Sequence, residues 1–190
     1  MNLKIFLAAI TLLFSISAIA QNYDIERSKY TKALKYHKNK NYTEFDKLKK
    51  ELVNYPLYSD LEYKSLHRKR FLNDERIIQF IKNHKNSYSS EKAYVNLIYR
   101  LSSTNKIDKL INNYKKTDSI DLHCLYLRAR IKKKFTEDIG KEIIPVWLSA
   151  KSQPKACDYV FKWFYKNKKL SDELVWQRIK LSLDANNYNL

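Results

Sequence analysis

The side chains able to do chemistry are few, and their spacing is the first question. There are four histidines, His37, His67, His84 and His123. None forms an HExxH pair or another spacing that gathers metal ligands. No GxSxG elbow, phosphate loop or cysteine–histidine signature occurs. Carboxylates are plentiful, so an acid pair of the glycoside-cleaving kind has to be weighed. Glu62, Glu75 and Glu91 all fall on helical stretches, where a solvated face or a first-turn charge accounts for them. The sequence thus assigns no catalytic, metal-binding or cofactor-binding residue, and implies no cofactor.

Cys124 and Cys157 are the only cysteines. Their reading depends on compartment, and the N-terminus bears on that. Lys4 provides a small positive segment. Ile5 to Ile19 is apolar except for Thr11, Ser15 and Ser17, and Ala18-Ile19-Ala20 places small residues at the −3 and −1 positions of a cut before Gln21. This is the layout of a cleavable secretory signal over residues 1–20. The apolar run falls short of the roughly 20 residues a spanning helix needs, and no later segment is apolar enough to span. The sequence predicts an exported chain with no stable membrane insertion after cleavage. In an oxidising compartment an even cysteine count without CxxC spacing favours a Cys124–Cys157 disulfide. The chain-entropy model gives it roughly 3 to 4 kcal/mol, less any strain.

These groups need elements to hold them, and composition narrows the choice. One glycine, Gly140, and three prolines, Pro56, Pro145 and Pro154, leave little for hairpin turns or dinucleotide folds, which need glycine where φ is positive. Helices joined by short polar turns fit. Apolar residues at helical spacing mark about ten. They run from Asp24 to Tyr36, using Ile25, Tyr30, Ala33 and Leu34; from Thr43 to Val53; from Leu57 to Arg70; and from Glu75 to His84, capped by Asn73 or Asp74. The next opens at Ser89 or Ser90 and passes Leu97 and Leu101. Others follow from Asn105 or Lys106 to Tyr114, after Asp118 or Ser119 through Leu125 and Ala129, and from a Thr136 cap to Leu148. The last two run from Ala156 to Tyr165, and from Ser171 through Leu174, Trp176, Ile179 and Leu183. Pairs recur every 30 to 35 residues or so, a solenoid period. The expected fold is all-α, antiparallel helix pairs stacked as a TPR-like superhelix over residues 21–190.

The net charge of +17 favours acidic partners without naming one, and a solvated basic surface would also produce it. Charge alone permits nucleic-acid binding, but the export signal and the lack of a binding motif speak against it.

Two stretches carry more information. One is Asn54-Tyr55-Pro56-Leu57-Tyr58, followed by Leu61-Glu62-Tyr63 and Leu66. The other runs from Trp147-Leu148 through Lys151-Ser152-Gln153-Pro154-Lys155-Ala156-Cys157-Asp158 to Phe161, with Leu122-His123-Cys124 before it and Trp176-Gln177-Arg178-Ile179 after it. In this order they resemble the N-terminal superhelical region of the soluble lytic murein transglycosylases, from about Tyr23 to Asn187. The resemblance implies a periplasmic protein and a family that cleaves peptidoglycan glycan strands, forming 1,6-anhydro-muramyl ends. It also implies pairing of the cysteines that flank the Trp147–Asp158 segment. The family's catalytic glutamate lies in a C-terminal lysozyme-like domain, in an ES-x-F motif followed by a glycine-bearing GLMQ segment. Neither occurs in these 190 residues. Ser90-Glu91 begins like the motif, but Lys92-Ala93-Tyr94 does not continue it. The expectation is a superhelical domain without that catalytic domain, inactive alone. Its partner would be peptidoglycan or a catalytic or envelope protein. A stand-alone helical-repeat scaffold in the cell envelope is the alternative.

Overall fold

A computed structural model describes residues 24–68 and 72–188. The proposed signal, residues 1–20, lies outside them. Ten α-helices are present among the described residues, and no strand. They are α1 (24–38), α2 (Tyr42–Glu51), α3 (Tyr58–Leu66), α4 (Asp74–Asn83), α5 (Tyr88–Ser103), α6 (Ile107–Asn113), α7 (Ile120–Lys132), α8 (Ile139–Trp147), α9 (Asp158–Lys166) and α10 (Asp172–Asp184). A 3₁₀ turn, Lys155–Cys157, precedes α9.

Side-chain caps start five of the helices. Asn41, Asn73, Ser87, Ser119 and Ser171 each accept a hydrogen bond from the backbone N–H three residues on, which satisfies a donor the helix leaves free. The helix ends show how a chain with one glycine turns. Lys40, Asn105, Lys134, Lys168 and Asn186 all have φ between 52° and 59°. The N–H of the residue after each donates to a carbonyl five residues earlier: Asn41 to Tyr36, Lys106 to Leu101, Phe135 to Arg130, Lys169 to Phe164, and Asn187 to Ser182. This is the Schellman closure, most often built on glycine. Here lysine and asparagine occupy the left-handed position. Scarce glycine therefore excludes hairpins but not positive φ. Gly140 itself sits in the first turn of α8 and takes no positive φ.

Several boundaries depart from expectation. α3 stops at Leu66, short of Arg70. Thr136 does not cap α8, which starts three residues later, at Ile139. The cause is Arg130, whose guanidinium takes the carbonyls of Phe135 and Glu137 at 3.2 and 3.0 Å and holds that stretch as a turn. Pro145 lies in the last turn of α8, and the helix ends two residues after it. Ile25, Trp176 and Leu183, expected on buried faces, are 60%, 67% and 54% exposed.

The chain forms two compact units, divided between Ala93 and Tyr94. The core of the first is Ala33, Phe45, Leu52, Tyr55 and Leu61, with Tyr30, Leu34 and Leu48 against it. Sequential helices pack in it, α2 on α3 and α3 on α4. In the second, Cys124, Leu127, Ile131, Ile139, Ile143, Val146, Val160 and Phe164 form one cluster with Cys157. Cys124 and Cys157 are joined as a disulfide with Cα atoms 4.9 Å apart, and both are fully buried. The bond ties α7 to the start of α9.

Two tests follow from these features. Lys134→Gly relieves the left-handed strain at no packing loss, so urea unfolding should show a gain of about 0.5–1 kcal/mol. Reduction of the 33-residue loop should cost about 3 kcal/mol, read as a lower urea midpoint with dithiothreitol than without. The oxidised protein should show no thiol to Ellman's reagent until it is both denatured and reduced.

Candidate functional site

The residues that carried the resemblance are packing residues. Tyr55 is buried in the turn between α2 and α3, its ring 5.5 Å from that of Tyr30. Pro56 and Leu57 complete the turn, and the Tyr58 N–H donates to the Tyr55 carbonyl at 2.8 Å. The Tyr30 hydroxyl donates to Asp60 at 2.8 Å, and burial with that carboxylate raises its pKa well above the usual phenol range. In the second unit, the Trp147 indole N–H donates to the Leu174 carbonyl at 3.1 Å. Its ring meets Phe161 edge-on at 5.1 Å, and the Arg178 guanidinium stacks 4.4 Å above it. Arg178 Nε is buried without a hydrogen bond, and burial lowers the pKa of the group. Pro154 leads into the 3₁₀ turn that delivers Cys157 to its partner. Asp158 is exposed in the first turn of α9, where a negative charge suits the helix dipole.

Polar residues converge elsewhere. A groove of about 510 Å³ in the first unit is lined by one face each of α2, α3 and α4. α2 supplies Asp46, Lys49 and Lys50, spaced i, i+3, i+4. α3 supplies Glu62, Ser65 and Leu66 with the same spacing. α4 supplies Arg76, Gln79, Phe80 and Asn83. Helical geometry puts such triplets on one stripe.

Arg68, just beyond α3, anchors the wall. Its side chain is only 9% exposed. It donates to both carboxylate oxygens of Asp46, at 2.9 and 2.8 Å, a bidentate pair of the strong kind. The guanidinium also lies 4.3 Å from the Tyr42 ring centre and 4.9 Å from that of Phe45. Phe45 meets the His37 ring at 5.1 Å. The Arg68 hydrogen bond holds the Asp46 carboxyl below the usual carboxylate range, and the charges of Arg68, Lys49 and Lys50 pull the same way. Arg68 Nε is buried without a hydrogen bond. Lys49 donates to the Ser65 hydroxyl at 3.0 Å, a neutral partner that leaves its charge uncancelled. Lys50 is exposed at the rim.

Glu62 is engaged: His84 Nε2 pairs with it, and Tyr58 hydrogen-bonds it, so that burial and Glu62 together raise the Tyr58 pKa. Gln79 donates to Asn83 at 2.8 Å, which fixes two amides side by side on the α4 wall. Among the described residues no three histidine, cysteine or acidic side chains gather as metal ligands. Of the groove's residues, sequence reasoning singled out only Glu62 as chemically capable. The signal it passed over is an i, i+3 pair of polar residues on each of three consecutive helices: Asp46 and Lys49, Glu62 and Ser65, Arg76 and Gln79.

The fold defines an all-α protein of sequentially packed helices. No protein-family model matches the chain. The soluble lytic murein transglycosylase of Escherichia coli K12 is 25% identical over 191 residues, 97% of this chain and 29% of that protein. The Salmonella typhimurium enzyme of the same name is 25% identical over 193 residues, 98% of this chain and 30% of that one. The crystal structure of the 70 kDa soluble lytic transglycosylase from Escherichia coli superposes with a TM-score of 0.76 at 22% identity, covering 85% of this chain and 26% of that one. An inactive mutant of the lytic transglycosylase Slt from Pseudomonas aeruginosa gives 0.75 at 26% identity, covering 84% and 26%. The chain thus resembles the soluble lytic murein transglycosylases along nearly all of its own length, and spans less than a third of the curated relatives it matches.

Asp46→Asn should destabilise the first unit. The loss is about 1–2 kcal/mol, discounted because the Asp46 side chain is 44% exposed. The sign with pH follows from the lowered carboxyl pKa. The native state holds Asp46 ionised, so its contribution is present above about pH 4 and fades as pH falls through the folded value. Urea midpoints of wild type and variant should differ at pH 7 and draw together as pH falls below the usual carboxylate range.

Proposed function

We propose that this chain is an exported, superhelical murein-handling module, which binds peptidoglycan or holds a catalytic partner on it. The likeness to murein transglycosylases over 97% of the chain is the observation that carries this reading. The net charge of +17 supports it, because the peptide stems of the wall carry carboxylates. The secretory pattern of residues 1–20 and the buried cysteine pair fit an oxidising compartment outside the cytoplasm, and the periplasm is the setting the resemblance implies. Among the described residues no helix is long and apolar enough to cross a membrane. The chain is assigned no catalytic residue, since the family's glutamate motif is absent from these 190 residues.

One observation favours a second reading, that of an envelope scaffold for another protein. Trp176 and Leu183, seven positions apart and so on one face of α10, are largely exposed. Co-sedimentation with purified sacculi separates the two. Retention that falls as salt rises from about 50 to 300 mM supports wall binding. No retention at low salt, with one envelope protein recovered on the immobilised chain, supports the scaffold. Release of anhydro-muropeptides by the pure chain would contradict the assignment of no catalysis.

A further inference from the structure

We infer that the groove between α2, α3 and α4 is a binding site for a short peptide bearing a free carboxylate, which on the murein reading is the peptide stem of the wall. Three features select that ligand. Lys49 and Lys50 stand together on the α2 wall. Asp46, the carboxylate beside them, is already spent on Arg68 through two hydrogen bonds. Among the described residues neither lysine makes an ion pair: both act on Asp46 only through their charge, and Lys49 donates to the Ser65 hydroxyl. They sit over an apolar floor of Leu66 and Phe80, where a charge pair is less screened than at an open surface. On the opposite wall the Gln79–Asn83 pair keeps one amide oxygen and amide N–H groups available, complementary to the N–H and C=O of a peptide backbone. Arg76, on the same stripe, adds a cation one turn away.

Arg68 lines the groove too, in a side chain nine-tenths buried, and its two terminal nitrogens hold Asp46 against the wall. The volume of about 510 Å³ falls inside the range of small-ligand sites and suits a few residues of peptide rather than a folded partner. A phosphate group fits less well. Asp46 and Glu62 keep carboxylates on two walls, and they repel a dianion more than a single carboxylate.

The assignment rests on the murein reading for the identity of the peptide, and the test keeps the two apart. Binding of a fluorescent stem-type tetrapeptide with free carboxylates is measured by anisotropy on the full chain, beside the same peptide fully amidated. Wild type should bind the free acid at least tenfold more tightly. The double variant Lys50→Glu/Arg76→Glu should lose at least tenfold, while Lys162→Glu/Lys166→Glu, an equal charge change on α9, should not. Unchanged thermal midpoints would show that each variant folds. The site is overturned if the peptide does not bind, if amidation makes no difference, if both charge variants weaken binding alike, or if inorganic phosphate displaces the peptide at equal concentration. On sacculi, equal retention of wild type and Lys50→Glu/Arg76→Glu sinks the groove and leaves the murein reading standing. Peptide binding without sacculus retention does the reverse.

Discussion

A chain with a single glycine must end each helix on residues that carry a side chain, and the fold depends on how it does so. Five helix ends close through the same bond, an N–H reaching back five residues over a left-handed lysine or asparagine. Each such residue costs on the order of 1 kcal/mol in backbone strain. The closure satisfies a carbonyl that the helix end leaves orphaned and turns the chain off the helix axis. After the Lys134 closure the next helix, α8, packs back on α7. Asparagine suits the position because its side chain tolerates the left-handed region. Lysine has no such aptitude. It is tolerated here because Lys40, Lys134 and Lys168 keep their charged ends in water, and the core packing behind the turn over-determines the backbone.

The same geometry explains what was legible in the sequence. Helices show through because apolar residues must recur with the helical period if they are to meet a core, and Leu97, Leu101, Ile139 and Ile143 do so. Caps show through because asparagine and serine at a helix start have a local chemical reason to be there. Boundaries fail where a distant side chain intervenes. Arg130 claims two carbonyls near Thr136, and nothing local to Thr136 announces that. Trp176 and Leu183 fail for a different reason. Periodicity states which residues share a face, but not whether anything packs on it.

The groove was illegible for that second reason in reverse. Lys49 and Lys50, Glu62 and Ser65, and Arg76 and Gln79 each read as the wet side of an amphipathic helix. Three wet faces become a site only when the helices that carry them lie side by side, and the pairing of α2 with α3 and of α3 with α4 is a tertiary fact. The segments that did stand out, around Tyr55 and Trp147, are the ones most constrained by packing. Tyr55 fills the core under the α2–α3 turn, and Trp147 is held at once by Leu174, Phe161 and Arg178. A likeness carried by such residues argues for a shared fold. It is silent about chemistry, which sits on the polar stripes between them.

Charge has to be read the same way, by place rather than by sum. A balance of +17 spread over helix faces is largely screened beyond about 10 Å and attracts any polyanion weakly. What distinguishes the α2–α4 groove is how its charges are arranged. Asp46 neutralises Arg68, while Glu62, hydrogen-bonded by His84 and Tyr58, keeps a carboxylate on the α3 wall. The positive field comes from Lys49 and Lys50 on the α2 wall, beside the apolar Leu66 and Phe80. Arg68 therefore matters less as a charge than as a strut. By gripping Asp46 and stacking on Tyr42 and Phe45, it holds the α2 face against the end of α3, and so sets where the lysine charges stand relative to the amides of α4.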